Sequence, residues 1–483
     1  MKMNYLKALF MFLTIGLIFQ SCSEDATLTE ESTEEFRGGN NGNNNGNNGG
    51  NNGNNNSKNV ASLNNQIVND WTDLMMELER YAGGMRPNAS ARALAYIHLA
   101  TYETAVPGMR DFVSNSQRLD GFTISQQEVP RNVNWEIALN ACYADVMDHF
   151  LINVPTNLKS QIAELEEVKE DKYSRNQSNR VVEESKQWGA YVAEQVIEYS
   201  QTDEEAEQQI LEPQPLSYEP PTGDGFWTYS ADPERALYPY WESVRTFVIS
   251  PDETTTIPPI EYSTDQNSPY YAEMMEVYEA NNEAKAEQGE QLWIAEFWSD
   301  DVEGLMMSPP ARQFAIANQL IDKYNLNLER TLVMLVKLGF SLNDAAVSTW
   351  KYKYEHMVMR PSNYIHEFID PDYQTNLYRL VYWPNPSFPG YPSGHSCFAS
   401  AAGGVFINTF GNNTNFTDRT HEGREEFLGD PRKFNSFRQM AAENAFSRIP
   451  LGVHIRMDCA EGLRLGYEIS DAVNELNLER KPG

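Results

Sequence analysis

An all-α fold is what the sequence predicts, and three observations carry that expectation. From Val60 onward apolar residues recur mostly at helical rather than alternating spacing, several such segments are long enough for three or more turns, and 41% hydrophobic with 12% aromatic residues supply a large core. A length of 483 residues admits two or three average domains or one large helical body. The formal charge of −32 argues against nucleic acid as a partner, because a phosphate backbone selects basic patches. Any anion bound by this chain must therefore meet a local cluster of cations.

The elements follow in chain order. Residues 1–22 combine a basic start, a short apolar run ending at Phe19, and Ser21 and Cys22, which is the pattern of a signal peptide rather than of a membrane span. Cys22 stands where bacterial lipoproteins are cleaved and lipidated, so the stretch resembles a lipobox, although Phe19 replaces the usual aliphatic residue. The "SED" that follows resembles the acidic surface-export signal of Bacteroidetes lipoproteins. The expectation is an exported chain, lipid-anchored to the outer membrane at the cell surface, with the membrane met only through that anchor. Residues 23–59 hold the tract "GGNNGNNNGNNGGNNGNNN", which has no side chains with which to build a core. As a flexible coil its roughly 36 residues span on the order of 35 Å.

Residues 60–483 then read as one helical domain. "IVNDWTDLMMELERYA", "ARALAYIHLATYETAV", "NWEIALNACYADVMDHFL", "YYAEMMEVYEANNEA", "RQFAIANQLIDKYN" and "ERTLVMLVKLGFSLNDAAVSTWKYKYEHM" each offer one buried face. Between Glu212 and Asp265, and again from Tyr382 to Tyr391, proline- and tyrosine-rich stretches without periodicity predict long ordered loops, the kind a rigid scaffold uses to place functional groups. Cys142, Cys397 and Cys459 cannot all pair and are expected as small buried residues. No later stretch approaches 18 consecutive apolar residues, so no transmembrane helix is expected after the leader.

Three constellations carry chemistry. In "SRIPLGVHIRMD", Pro450 suits the first turn of a helix, which would put His454 and Asp458 four apart on one face, the carboxylate holding the Nδ1 proton and leaving Nε2 with its lone pair. Taken alone, such a pair is more often a surface or core contact. In "KYEHMVMRP", Lys353 and Arg360 would lie two turns apart on one face of a helix ended by Pro361. A solvated basic face explains them as well, but their large apolar neighbours favour an oxyanion between them. In "YPSGHSCFASAAGGVF", Ser393 is a candidate N-cap, Gly394 permits close backbone approach, and the helix N-terminus they open is an anion site beside which His395 would serve as acid or base. A plain helix cap is the equal alternative for that tetrapeptide.

In order, these residues spell K-x6-RP, PSGH and SR-x5-H-x3-D. The set resembles the superfamily of vanadium-dependent haloperoxidases and type 2 phosphatidic acid phosphatases. The resemblance implies a large helical-bundle domain with long ordered loops, its core at residues 330–475. It implies that Lys353, Arg360 and Arg448, with Ser393 and Gly394, bind the oxygens of vanadate, or of phosphate in the same site. It makes His454 the metal ligand or, in a phosphatase, the phosphoryl-accepting nucleophile, with Asp458 as its partner and His395 as the acid/base group. A multiply charged oxyanion needs such cations: each close pair is worth roughly 4 kcal/mol at an effective dielectric near 20.

The membrane phosphatases of this superfamily need several transmembrane helices, and its soluble acid phosphatases are shorter. Blocks such as "PYWESVRTFVI" and "AEFWSDD" resemble the haloperoxidase branch over most of residues 65–475. That branch implies hydrogen peroxide and a halide as substrates, with Lys353 polarising the peroxide and an organic acceptor as a further partner; because iodide and bromide are easier to oxidise than chloride, they are the halides expected. Trp350 and Phe388 match its aromatic pocket positions, though core packing is their equal alternative. Asp301 resembles the acid that pairs with His395, with Asp300 adjacent. An acid phosphatase acting through a phosphohistidine at His454 is the alternative function.

Overall fold

The computed structural model describes residues 59–125, 127–230, 233–300, 302–379 and 385–480, all within a unit spanning Asn55–Gly483. The leader, Cys22, the whole Gly/Asn tract and Asp301 lie outside the described residues.

Helices dominate, as the periodicity predicts. In order they are α1 (Gln66–Glu79), α2 (Asn88–Ala105), α3 (Trp135–Phe150), α4 (Thr156–Lys159), α5 (Gln161–Ser174), α6 (Asn179–Gln201), α7 (Glu204–Leu211), α8 (Pro269–Glu287), α9 (Glu290–Phe297), α10 (Pro309–Lys323), α11 (Leu328–His356), α12 (Pro361–Phe368), α13 (Gly394–Phe410), α14 (Phe437–Phe446), α15 (Arg448–Leu451) and α16 (Arg456–Glu475). A single antiparallel ribbon among the described residues pairs β1 (Phe416–Asp418) with β2 (Arg432–Phe434), Thr417 opposite Lys433. Starts are set by local chemistry: Ser268 and Ser308 cap α8 and α10, each followed directly by proline at the first helical position.

Helix α11 is the axis of the core, packed along α2 on one side and α13 on the other, while α3 packs on α6. It is long and apolar enough to cross a membrane, but the rest of the protein buries 89% of its most apolar window, so its hydrophobicity belongs to the core. The expected small buried roles of Cys142, Cys397 and Cys459 hold: all three are buried free thiols.

The contact that positions the site is α13 against α16. At Gly462 a Cβ would lie 2.4 Å from the Ser393 carbonyl oxygen, and at Gly466 one would lie 2.2 Å from that of Cys397. Only glycine lets the two backbones approach this closely. The Ser393 N–H consequently donates to the Asp458 carbonyl at 2.9 Å, tying the start of one helix to the start of the other.

The described parts of the two aperiodic segments, within Glu212–Asp265 and from residue 385 to Tyr391, are loops that meet over this junction. Phe226 bridges Val358, Trp227 N–H donates to the Met357 carbonyl, and Leu237 N–H donates to that of Ser387. The Glu212–Asp265 segment thereby straps the turn between α11 and α12 to the loop before α13.

Candidate active site

Lys353 sits in the last turn of α11 and is fully buried. The helix ends at Met357, whose φ of 50° turns the chain out of it. Arg360 is therefore not on the same helix face as Lys353, contrary to the sequence expectation. It is extended (φ −71°, ψ 143°) because a residue preceding proline is pushed out of the helical region, and Pro361 opens α12 instead of ending α11. The turn brings the two cations to one place from two elements.

The Lys353 ammonium donates to the carbonyls of Pro389, Gly390 and Pro392 at 2.9, 3.0 and 2.6 Å. Its three protons thus fold the loop that delivers Ser393. Arg360 donates through Nε to the Phe388 carbonyl at 2.9 Å and through Nη1 to that of Val453, also at 2.9 Å. Both cations lie over the Phe388 ring, 5.1 and 5.0 Å from its centroid. Trp350 packs on that ring at 4.8 Å and donates its indole N–H to the Leu237 carbonyl.

The opening segment of the third motif also departs from expectation. Pro450 falls within the short helix α15, which ends at Gly452 with φ 92°, so His454 lies in a turn and α16 begins only at Arg456. Asp458 is the third residue of α16, and its Oδ2 accepts from the Ile455 N–H at 3.3 Å and from His454 Nδ1 at 3.0 Å. The His454–Asp458 contact is made, but across a helix N-terminus instead of along a helix face. On the other ring edge Arg360 Nη1 lies 3.2 Å from His454 Nε2. A guanidinium only donates, so Nε2 must accept, which fixes the imidazole as the Nδ1–H tautomer. Burial first, then the charges of Arg360, Lys353 and Arg448, hold the His454 pKa well below its ordinary value, so the ring is neutral. Burial pushes the Asp458 carboxyl up to about 7 against the pull of Lys353 and Arg360.

Ser393 caps α13, its hydroxyl accepting from the Ser396 N–H at 3.4 Å. Gly394 begins the helix, and a Cβ there would meet the Trp350 ring at 3.4 Å. His395 donates Nε2–H to the Ser299 carbonyl at 3.0 Å, and Arg448 Nη1 donates to the carbonyls of Trp298 and Ser299 at 2.9 and 3.3 Å. The segment after α9 therefore anchors both. Asp300, adjacent to the expected Asp301, is buried in the left-handed conformation (φ 44°), its Oδ1 3.7 Å from Arg312.

Trp350, Phe388, Gly394, His395, Arg448 and His454 line one small cavity. Sequence motifs supply these side chains, while the backbone carbonyls of residues 298–299 and 389–392 that orient them carry no residue-type signature. The donor set fits a multiply charged tetrahedral oxyanion: Lys353, Arg360 and Arg448 are buried basic groups, the first two pulling on the Asp458 carboxyl, and the α13 N-terminus adds its N–H groups. Burial, then the charge of Arg360, holds the Lys353 pKa well below its ordinary value, so a bound anion would favour its charged form.

Residues 333–480 match the family described as the VCPO second helical-bundle domain. The fold matches the first bacterial vanadium-dependent iodoperoxidase at 25% identity and a TM-score of 0.74, over 86% of this chain and 98% of that one. The fold is the vanadium haloperoxidase helical bundle, and residues 333–480 carry that family's second helical-bundle domain. Two further vanadium haloperoxidase structures, of holo- and apo-type bacterial vanadium-dependent chloroperoxidase, share the fold at 15% identity, with TM-scores of 0.61 and 0.59. They cover 81% of this chain, and 92% and 93% of their own lengths. Among curated proteins none matches the sequence.

Proposed function

We propose that this vanadium haloperoxidase holds vanadate in the cage of Lys353, Arg360, Arg448, Ser393, Gly394 and His454 and oxidises iodide or bromide with hydrogen peroxide. The observation that carries the reading is the neutral, Nδ1-protonated His454, whose Nε2 lone pair is presented among three buried cations. When bound there, vanadate supplies a Lewis-acidic centre that activates peroxide for two-electron oxidation of a halide. The chain's own residues do the rest. Arg360 and Arg448 offset oxyanion charge from fixed positions, so no reorganisation is needed when the anion arrives. Lys353 adds charge while its protons hold the 389–392 turn. His395, in the first turn of α13, is the group that moves protons. Trp350 and Phe388 exclude water and offer a polarisable wall to a large halide. Iodide and bromide precede chloride because they give up electrons more easily, and the match to a structure named as an iodoperoxidase supports that order.

The test is reconstitution of the metal-free protein with vanadate, followed by assays of peroxide-dependent iodide and bromide oxidation beside p-nitrophenyl phosphate hydrolysis. Halide oxidation that requires vanadate supports the assignment. Phosphate release without it would instead establish the phosphohistidine route through His454. We also propose that export and lipidation at Cys22 anchor the enzyme to the outer membrane, the Gly/Asn tract acting as tether. Loss of labelled palmitate from a Cys22→Ala variant checks this.

A further inference from the structure

Beside the cage lies a second cavity of about 40 Å³, more than the 10–15 Å³ or so that one water requires. It shares Pro87, Pro309, Pro386 and Phe388 with the cage cavity, so the two have a common wall. The remainder of its lining is Leu237, Leu377, Asp300 and Arg86.

Arg86 is 9% exposed, and its guanidinium is used on one side only. Nη2 donates to the Glu79 carbonyl and carboxylate, both at 3.4 Å, while Nε and Nη1 have no hydrogen-bond partner. Glu79 is itself held by the Ser90 hydroxyl at 2.6 Å and the Ser308 N–H at 3.0 Å, so it fixes the back edge of Arg86 like a post. The carboxylate that lines the chamber, Asp300, lies 3.7 Å from Arg312, which offsets its charge. Arg86 thus lines, with two of its guanidinium nitrogens unpartnered, a chamber whose walls are proline, leucine and phenylalanine apart from Asp300. Unpaired buried donors cost free energy, and a guanidinium in apolar surroundings suits a large, weakly hydrated anion better than a small, strongly hydrated one.

We propose that this chamber is a halide subsite, in which Arg86 holds iodide or bromide behind the Phe388 wall before it reaches the oxyanion cage. The proposal rests on the haloperoxidase reading and adds to it a halide-selecting residue from the α1–α2 turn, far in sequence from the three motifs. Arg86 touches the halide and takes no part in holding the oxyanion.

The experiment uses the whole vanadate-loaded protein and its Arg86→Gln variant. Because that change strands Glu79, the Glu79→Gln/Arg86→Gln double variant is made beside it to keep the buried charge balanced. The expected result is a KM for iodide raised at least tenfold in both variants, with kcat at saturating iodide falling less than threefold and vanadate affinity within twofold of wild type. Crystals soaked in iodide should show an anomalous peak beside Arg86 in the wild type and none in the variants. Unchanged KM in either folded variant overturns the proposal, and a peak that accompanies unchanged KM marks an adventitious ion only. Should the wild type oxidise no halide at all, the haloperoxidase reading fails separately: a peak lost on substitution would still uphold a halide subsite, and its absence would remove that as well.

Discussion

Gly462→Ala tests whether the close α13–α16 approach builds the site. The new Cβ would stand 2.4 Å from the Ser393 carbonyl oxygen, where ordinary contact begins near 3.4 Å, so one backbone must retreat by about 1 Å. Alanine gains roughly 0.5–1 kcal/mol over glycine in a helix, and overpacking against a well-packed core costs about 1–3 kcal/mol or more. The clash should win, leaving a net loss of about 1–2 kcal/mol. Function should lose more, because the displaced carbonyl belongs to the cap that carries Gly394 and His395, and a 1 Å misplacement can cost about 100-fold in rate. Gly403→Ala is the internal control: it lies on α13, where a Cβ would meet the Ala441 Cβ and the Tyr467 hydroxyl at 3.7 Å and the Phe437 carbonyl oxygen at 3.8 Å, all ordinary contacts, so helix propensity should make it neutral or slightly stabilising. Urea unfolding gives the stability of both, and vanadate titration with iodide oxidation gives the function. If Gly462→Ala matched Gly403→Ala in stability and turnover, the reasoning from close approach would be refuted.

His454→Ala should remove vanadate binding and halide oxidation alike, by more than about 100-fold, while the circular dichroism spectrum and the fold persist; equilibrium ultrafiltration of vanadium is the check. His98 is fully buried against Phe314 at 4.6 Å, neither ring nitrogen has a hydrogen-bond partner, and burial lowers its pKa to about 3. The unfolded chain therefore takes up a proton below pH 6.5 that the folded chain refuses until about pH 3, so stability must fall with pH across that window, by about 1.4 kcal/mol per unit from this one group. His98→Phe should reduce that slope by one proton in urea titrations between pH 6 and 4. The charge of −32 repels an incoming halide at low ionic strength, so the KM for iodide should fall when an inert, non-halide salt is raised from about 0.02 to 0.2 M.

The long helices were legible because each buries one face, and the predicted segments match α1, α2, α3, α8, α10 and α11 closely. Helices α5 and α6 lie in a stretch crowded with Glu, Lys and Arg, where charge on the outer faces dilutes the apolar stripe. The site residues stand out through residue type and order, yet spacing alone predicts continuous helix for the backbone that carries Arg360 and His454. The signals against that reading were present: Gly452 stops a helix, and a residue before proline, as Arg360 is, leaves the helical region. A motif names the side chains to be assembled, whereas the route of the main chain between them depends on such single-residue breaks. Arg86 had no motif at all. Its importance comes from what surrounds it, namely a carboxylate on one edge and apolar walls on the other.

The acidity of the chain and the cationic cage act over different ranges. Charges at the surface are screened within about 8–10 Å at physiological salt, and they face water of high dielectric. Lys353, Arg360 and Arg448 are buried, so their fields reach one another and His454 with little screening. That field, added to desolvation, keeps His454 uncharged, and an uncharged ring is the one that can present Nε2 to an oxyanion centre. A fourth positive charge there would help to attract the anion but would consume the lone pair. The neutral histidine among three cations thus divides the labour: the cations supply attraction, and the imidazole, with its proton held on Nδ1 by Asp458, supplies the bond.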